Sequence, residues 1–494
     1  MWLQTIAIIL PRVQEHYSVS DEWIGTLSSS IFAGMTFGAF FWGTYSDSRG
    51  RKVPYTMTLA ITSLFGLIST FTYNFTTLCV MLFFLGFGVG GNMPTDGALF
   101  LEFLPKEFHY LLTFMSVFFS FGAVIASIIA YIVLPRWSCP QDSNIACDIS
   151  TQNLGWRLML LSVSIVTILM LAMRTFWLRL PETPKFLMSQ DKHEETIIVL
   201  QNIAKINGGN VQIDKSELPM SEAYGISMQE RRNTTAVVEN PSDEDDESDT
   251  MIVDDSSERH VLLSTGRRSI EEISINEKDS AKAFQLLFGP KWRLTTVLVW
   301  IIWTFTAVAY TMFNVFLPKY LETLGFEGEA KAPSHQQVYW DYMIYSIAGV
   351  PGSVIASWMI ETNLGRKGTM AISALGSSVC LFLFSIITSR LTMVLSSSSV
   401  SFLVTLLYAV IYGYTPEVFG TNVRGTAVGT ASGLGRIAGI LSPIMTGFLL
   451  AINPSLPLYL SVVGFTIVGI CALLLPYETR KNDSNHNPPP HSYT

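Results

Sequence analysis

The chain has 494 residues, 49% hydrophobic and only 14% charged, with a net charge of −8 and a mean hydropathy of +0.37. Soluble domains carry about 25% charged residues, so the composition excludes a water-soluble globular protein and points to a chain solvated largely by lipid. The acidic balance says little about partners, because ten acidic residues are concentrated between Glu239 and Glu258, and no basic patch for nucleic acid stands out.

In chain order, the first apolar stretch, Trp2 to Leu10, supplies about half of a spanning helix, which needs ~20 residues. It lacks the basic n-region and small-residue cleavage site of a signal peptide, so the expectation is a first helix that continues upstream of Met1. Eleven longer apolar runs follow: Ile24–Tyr45, Val53–Tyr73, Thr77–Leu99, Tyr110–Leu134, Trp156–Leu178, Leu294–Leu317, Val338–Ile360, Thr369–Thr388, Leu391–Gly413, Thr426–Leu450 and Ser455–Leu475. Each can cross ~30 Å of hydrocarbon with some tilt, and backbone groups in lipid must bond internally, which makes the runs helices. The expected fold is therefore an all-α membrane bundle of about twelve helices in two six-helix halves. The expected boundaries are 1–180 for the first half, 181–290 for a central loop, 291–476 for the second half and 477–494 for a tail.

Basic residues in the short loops set the orientation. Arg49, Arg51, Lys52, Lys106, Arg366, Lys367, Arg424, Arg480 and Lys481 all fall on one side if the spans alternate, which predicts cytosolic termini. Cys139 and Cys147 share a polar loop on the other side, where an oxidising compartment allows a disulfide; two free thiols are the alternative. Cys79, Cys380 and Cys471 lie in apolar runs as packing residues. In the central segment, a polar helix is expected over Lys192–Asn207, followed by low-complexity chain around Asp243-Glu244-Asp245-Asp246-Glu247. Self-repulsion and few apolar groups predict disorder there, either as a solvated linker or as a phosphorylatable regulatory element. The sequon at Asn233 is cytosolic in this orientation, and the one at Asn74 lies in a very short loop.

An internal repeat organises the chain. The loop after the second span runs from Gly43 through Asp47 to Gly50-Arg51-Lys52, and the loop after the eighth runs from Glu361 to Gly365-Arg366-Lys367. Gly50 and Gly365 are 315 residues apart, as are Glu102 and Glu417, and His109 and Arg424. Two motifs in one register imply two homologous halves. Glycine suits the tight turns, and Glu102 and Glu417 are candidate partners for Arg51 and Arg366, in ion pairs expected to latch the halves on the cytosolic side.

These residues resemble the major facilitator superfamily, whose signature is Gly-x-x-x-Asp-x-x-Gly-Arg-Lys after the second span. Pro181-Glu182-Thr183-Pro184-Lys185 after the sixth span, Pro476-Tyr477-Glu478-Thr479 after the twelfth, and Glu417 through Arg424 resemble elements of its sugar-porter and synaptic-vesicle-protein-like branches. Ser48, Gly420 and Leu82 depart from the family pattern, which has a basic residue, proline and arginine there. The resemblance implies alternating access of a solute site at the midplane between two rocking halves.

Polar residues at bilayer depth are the candidate site, because they are costly there. Arg436, in Gly433-Leu434-Gly435-Arg436, suits an anionic or zwitterionic solute or a structural carboxylate. Tyr310 and Asn314 share a helix face and suit a hydroxylated solute; Gln4 is expected to face the same cavity if the first span is complete. Asn92, with Pro94, and Asp96 on the fourth span, Asp341 on the eighth, and the ring of Trp303 complete the set, and Tyr412 is a further ring more suited to packing. The function expected is secondary active transport of a small polar organic solute, a sugar or related metabolite, with protons as the candidate coupling ion. The alternative is a transporter-like sensor or membrane scaffold. No metal cluster, nucleophile elbow or phosphate loop is apparent, so neither an enzyme nor a cofactor is expected. The other expectations are a monomer in contact with lipid, in the plasma membrane or an internal membrane.

Overall fold

Apolar runs in lipid can satisfy their backbone only within themselves, and the runs are helical in the computed structural model, which describes residues 1–103, 116–139, 147–177, 180–190, 192–209, 285–323, 334–386, 389–419 and 421–479. The acidic segment, Asn233, Pro105, Lys106, His109, Gly420, Arg480 and Lys481 lie outside the described residues, as do the side chains of Asp47, Ser48 and Pro94. Met1–Leu180 and Leu287–Thr494 form one compact unit, and Pro181–Leu286 forms another.

The first half of the bundle contains α1 (Trp2–Tyr17), α2 (Asp21–Arg49), α3 (Lys52–Ser69), α4 (Phe75–Phe103), α5 (Val117–Trp137), the short α6 (Ile149–Gln152) and α7 (Gly155–Ala172), which ends in a π-helical turn at Met173–Trp177. The separate unit carries α8 (Pro184–Ser189) and α9 (His193–Ile206). Thr183 caps α8, its hydroxyl accepting from the Phe186 N–H at 3.3 Å. The second half contains α10 (Arg293–Asn314), α11 (Leu317–Thr323), α12 (His335–Met359), α13 (Gly365–Ile386), α14 (Arg390–Val418), α15 (Thr421–Ile452) and α16 (Leu456–Leu474).

Among the described residues, nine helical stretches are long and apolar enough to cross a membrane, with α10 and α11 counted as one. The other three long helices are α1, of 16 residues, and α3 and α12, which carry polar residues such as Thr58, Thr62, Gln337 and Asp341. Large apolar side chains face outward around the bundle, among them Phe40, Trp177 and Trp358, as expected where the solvent is acyl chain.

Two seams position the site. Within the first half, α2 and α4 meet backbone to backbone. A Cβ at Gly34 or Gly38 would lie 1.9 or 2.0 Å from the carbonyl oxygen of Phe83 or Phe87, and one at Gly86 or Gly90 would lie 2.3 or 2.1 Å from that of Ile31 or Met35. Glycines at i, i+4 on both helices allow this approach, the usual device where lipid offers no hydrophobic drive. Between the halves, α2 packs on α15 and α5 on α12, where the Ser127 and Ser346 hydroxyls pair at 2.7 Å.

Candidate functional site

Gly425, Gly429, Arg436, Pro443 and Gly447 fall on one face of α15, one or two turns apart. At one end of this face the contact with α2 is tight: a Cβ at Gly447 would lie 2.7 Å from the Asp21 carbonyl oxygen, and one at Gly25 would lie 2.0 Å from that of Pro443. At the other end, Cβ atoms at Gly425 and Gly429, and at Gly43 on α2, would meet nothing within 4 Å. The halves thus close at the end bearing the Cys139 loop and part at the end bearing the Gly-Arg-Lys turns.

Arg436 sits where this crevice begins. Its Nη1 donates to the Met35 carbonyl across the halves at 3.2 Å, and among the described residues no carboxylate pairs with it. The Tyr412 hydroxyl is its electrostatic neighbour, and Tyr412 is 48% exposed. From Tyr412 an aromatic row runs inward: Trp303 edge-on at 4.8 Å, Tyr408 at 6.3 Å, then Tyr310 at 5.5 Å from Tyr408. Trp303 is itself buried, with its N–H given to Thr415 Oγ1 at 3.0 Å.

The row ends in amides. α10 breaks after Asn314, whose Oδ1 accepts from the Tyr345 hydroxyl at 2.9 Å and from Gln4 Nε2 at 3.4 Å. Gln4 also donates to the Tyr342 hydroxyl. Gln4 belongs to the first half and the others to the second, so this group too crosses the interface. The structure brings Gln4, Asn314, Tyr310, Trp303 and Arg436 together. Asn92, Asp96 and Asp341 lie elsewhere because each is held by a neighbouring helix of its own half. Thr58 donates to Asn92 at 2.7 Å. Arg174, stacked on the Tyr55 ring, pairs with Asp96 at 2.6 Å. Arg390 holds both oxygens of Asp341 at 3.0 and 3.1 Å. Tyr342, Tyr345 and Tyr408 escaped the sequence reading; tyrosines spaced i, i+3 or i, i+4 in apolar runs (342 and 345, 408 and 412) are the signal that marks them.

At the Gly-Arg-Lys end, Gly50 and Gly365 take positive φ, 101° and 62°, which glycine adopts without strain. Arg51 pairs with Glu102 at 3.2 Å. Arg366 grips both oxygens of Glu417, at 2.6 and 2.9 Å. Each pair joins helices of the same half, so neither spans the two halves as a latch would. Glu478 adds an anion to the N-terminus of α13, accepting from the backbone N–H groups of Arg366 and Lys367 at 2.9 and 3.1 Å, while Thr479 donates to Glu417 at 3.0 Å. Arg424 donates to the Phe419 carbonyl at 3.4 Å, Glu361 is exposed in its turn, and Glu182 accepts from the Thr183 N–H at 3.1 Å. Arg366→Ala is expected to lower stability by about 2–3 kcal/mol, the scale of a lost charged hydrogen-bond pair, measured as a fall in melting temperature in detergent.

At the closed end, Cys139 and Cys147 form a disulfide. Nearby, Arg12 of α1 is buried with Glu15 at 2.8 Å and with Glu322 of α11, in the other half, at 2.7 Å. Asn153 donates to the Arg12 carbonyl at 3.2 Å. Lys319 of α11 reaches Asp21 at 2.5 Å and Gln14 at 2.9 Å, also across the halves. His335 packs its Nε2 2.9 Å from the Cys139 carbonyl oxygen and 3.2 Å from Arg12 Nη1. Replacing both cysteines by serine is expected to reduce stability by about 2–3 kcal/mol, from the freed chain entropy of a short loop, read as a lower denaturation midpoint.

A family model described as Major Facilitator Superfamily matches residues 1–361 and 299–492. An uncharacterized MFS-type transporter of Schizosaccharomyces pombe is 33% identical over 491 residues, covering 98% of this chain and 83% of that protein. The synaptic vesicle 2-related protein of Pongo abelii is 24% identical, covering 97% of this chain and 76% of its own length. In fold, the chain is similar to the inward open conformation of the xylose transporter XylE from E. coli, with a TM-score of 0.64 at 14% identity over 97% of this chain and 94% of that one.

Proposed function

The chain belongs to the major facilitator superfamily, and on that premise we propose that it is a secondary active transporter of a small polar organic solute carrying a carboxylate, working by alternating access. The observation that carries this reading is Arg436, a cation at the head of the crevice held by one backbone carbonyl of the opposite half. A central arginine costs about 2.5–3.5 kcal/mol on insertion scales, and an anionic solute offsets that cost while it is bound. Met35 lies on α2 and Arg436 on α15, so a carboxylate that takes the guanidinium exchanges a bond between the halves for a bond to cargo. That gives the two states different affinity, as any ligand-driven rocking requires. In this reading the Gly-Arg-Lys turns face the cytosol, as their basic residues favour.

The Gln4–Asn314 amides and the tyrosine hydroxyls beside them favour a second cargo class, a neutral polyhydroxylated solute such as a sugar. Purified protein in proteoliposomes decides between them, with uptake of labelled monocarboxylates, betaine-type zwitterions and hexoses compared with and without a proton gradient. Saturable uptake of carboxylates or zwitterions supports the proposal. Uptake of hexoses alone moves the cargo to the amide end. Binding without movement replaces the transporter by the sensor reading.

A further inference from the structure

We propose that His335 is the proton acceptor of a lock holding the disulfide-bearing face shut, so that a proton arriving from that face opens it. The proposal rests on the transporter reading for its purpose but not for its chemistry.

The lock is the group of Arg12 and the half-exposed Glu15 on α1, Glu322 on α11, and His335 and Tyr339 on α12. Arg12, Glu322 and His335 are each at least nine-tenths buried. Arg12 belongs to one half, and Glu322 and His335 to the other, so the group must come apart whenever this face opens. With His335 neutral, one guanidinium faces two carboxylates and the group carries one net negative charge; a single proton brings it to zero. The other groups facing it do not change that balance. Tyr339 presents a hydroxyl to Arg12, Asn153 and the Cys139 carbonyl are neutral, and Lys319 and Asp21 offset each other.

The ring geometry shows where the proton goes. Nε2 lies within hydrogen-bond distance of both the Cys139 carbonyl and Arg12 Nη1. Arginine only donates and a carbonyl only accepts, so a neutral ring serves one of them and not the other. When Nε2–H donates to Cys139, Nδ1 presents a lone pair toward Glu322 Oε1, 3.8 Å away. Both of those atoms are buried without a hydrogen-bond partner among the described residues. A proton on Nδ1 fills this gap. The imidazolium then donates to Cys139 through Nε2 and draws Glu322 through Nδ1, while it faces Arg12 as a like charge. Glu322 and His335 are in the same half, so protonation strengthens a bond within that half and weakens the Glu322–Arg12 bond between the halves. The open state, in which Arg12 has withdrawn, therefore binds the proton more tightly, and lower pH favours opening. Imidazole is the side chain whose charge changes within about pH 5–8.

The test reads the lock without transport. Spin labels at Tyr73→Cys and Leu391→Cys, exposed positions at this end of the two halves, are placed in a background with Cys79, Cys380 and Cys471 replaced by serine and the disulfide intact. The inter-label distance in proteoliposomes is measured from pH 8 to pH 5.5. A longer, open population is expected to grow by up to about tenfold per pH unit, the limit for one linked proton. His335→Gln and His335→Asn, which keep a neutral polar group, are expected to abolish that growth. A wild-type distribution unchanged with pH, or a response retained in whichever of the two variants folds, overturns the proposal. A pH-driven opening in a protein that carries no solute leaves the lock standing and removes the transporter reading; uptake with no such opening does the reverse.

Discussion

Arg436→Ala is expected to reduce uptake of a carboxylate-bearing solute by at least ~30-fold while leaving the protein as stable as before, or more stable. The two effects separate because of what Arg436 touches. Its internal partner is a single carbonyl, so alanine leaves no carboxylate stranded, and it removes a charge that is costly at that depth. The solute, by contrast, loses a charge-assisted and partly desolvated pair, whose truncation costs about 2–5 kcal/mol in affinity. Arg436→Lys keeps the charge but not the planar fork, and it is expected to fall between, about tenfold below wild type. Uptake kinetics and melting temperature on the same preparations check this. Wild-type uptake in the alanine variant would assign the cation to helix packing, and a parallel loss of stability would make the uptake loss uninformative about cargo.

Gly38→Val is expected to be among the most damaging small substitutions in the first half. Its Cβ would stand 2.0 Å from the Phe87 carbonyl oxygen, a backbone atom that cannot swing aside as a side chain does. Valine adds two methyl groups beyond that point, so α2 and α4 must separate along the whole seam. Overpacking of this kind costs about 1–3 kcal/mol where neighbours can adjust, and here the neighbour is a helix backbone. The expected result is protein that elutes as aggregate after solubilisation. Gly43→Ala, five residues further along the same helix and facing open space, is expected to elute and melt like the wild type. Equal behaviour of the two variants would mean that the seam is looser than its backbone contacts indicate.

The fold was legible because lipid leaves few choices. Run length and the 315-residue register pointed to two homologous helical halves, and the Arg51–Glu102 and Arg366–Glu417 partners followed from the same register. Their placement within each half was not legible, since a repeat shows which residues correspond but not which helix a side chain crosses to. Arg436 stood out because a lone charge in an apolar run is conspicuous. Asp96 and Asp341 stood out for the same reason, yet Arg174 and Arg390, from distant stretches of the chain, hold them. Arg12, Glu322 and His335 went unread because each lies near the end of a run, where polar residues are ordinary. Only folding brings the three within one buried cluster.

The parted end of α2 and α15 gives the molecule a handedness toward drugs. In the state described, Gly425, Gly429 and Gly43 face open space at one end of the α2–α15 seam, whereas Gly25, Pro443 and Gly447 are in backbone contact at the other. A bulky, membrane-impermeant anion could therefore plug the protein from the side of the Gly-Arg-Lys turns and be inert from the opposite side. Sealed vesicles of opposite orientation would give opposite pharmacology.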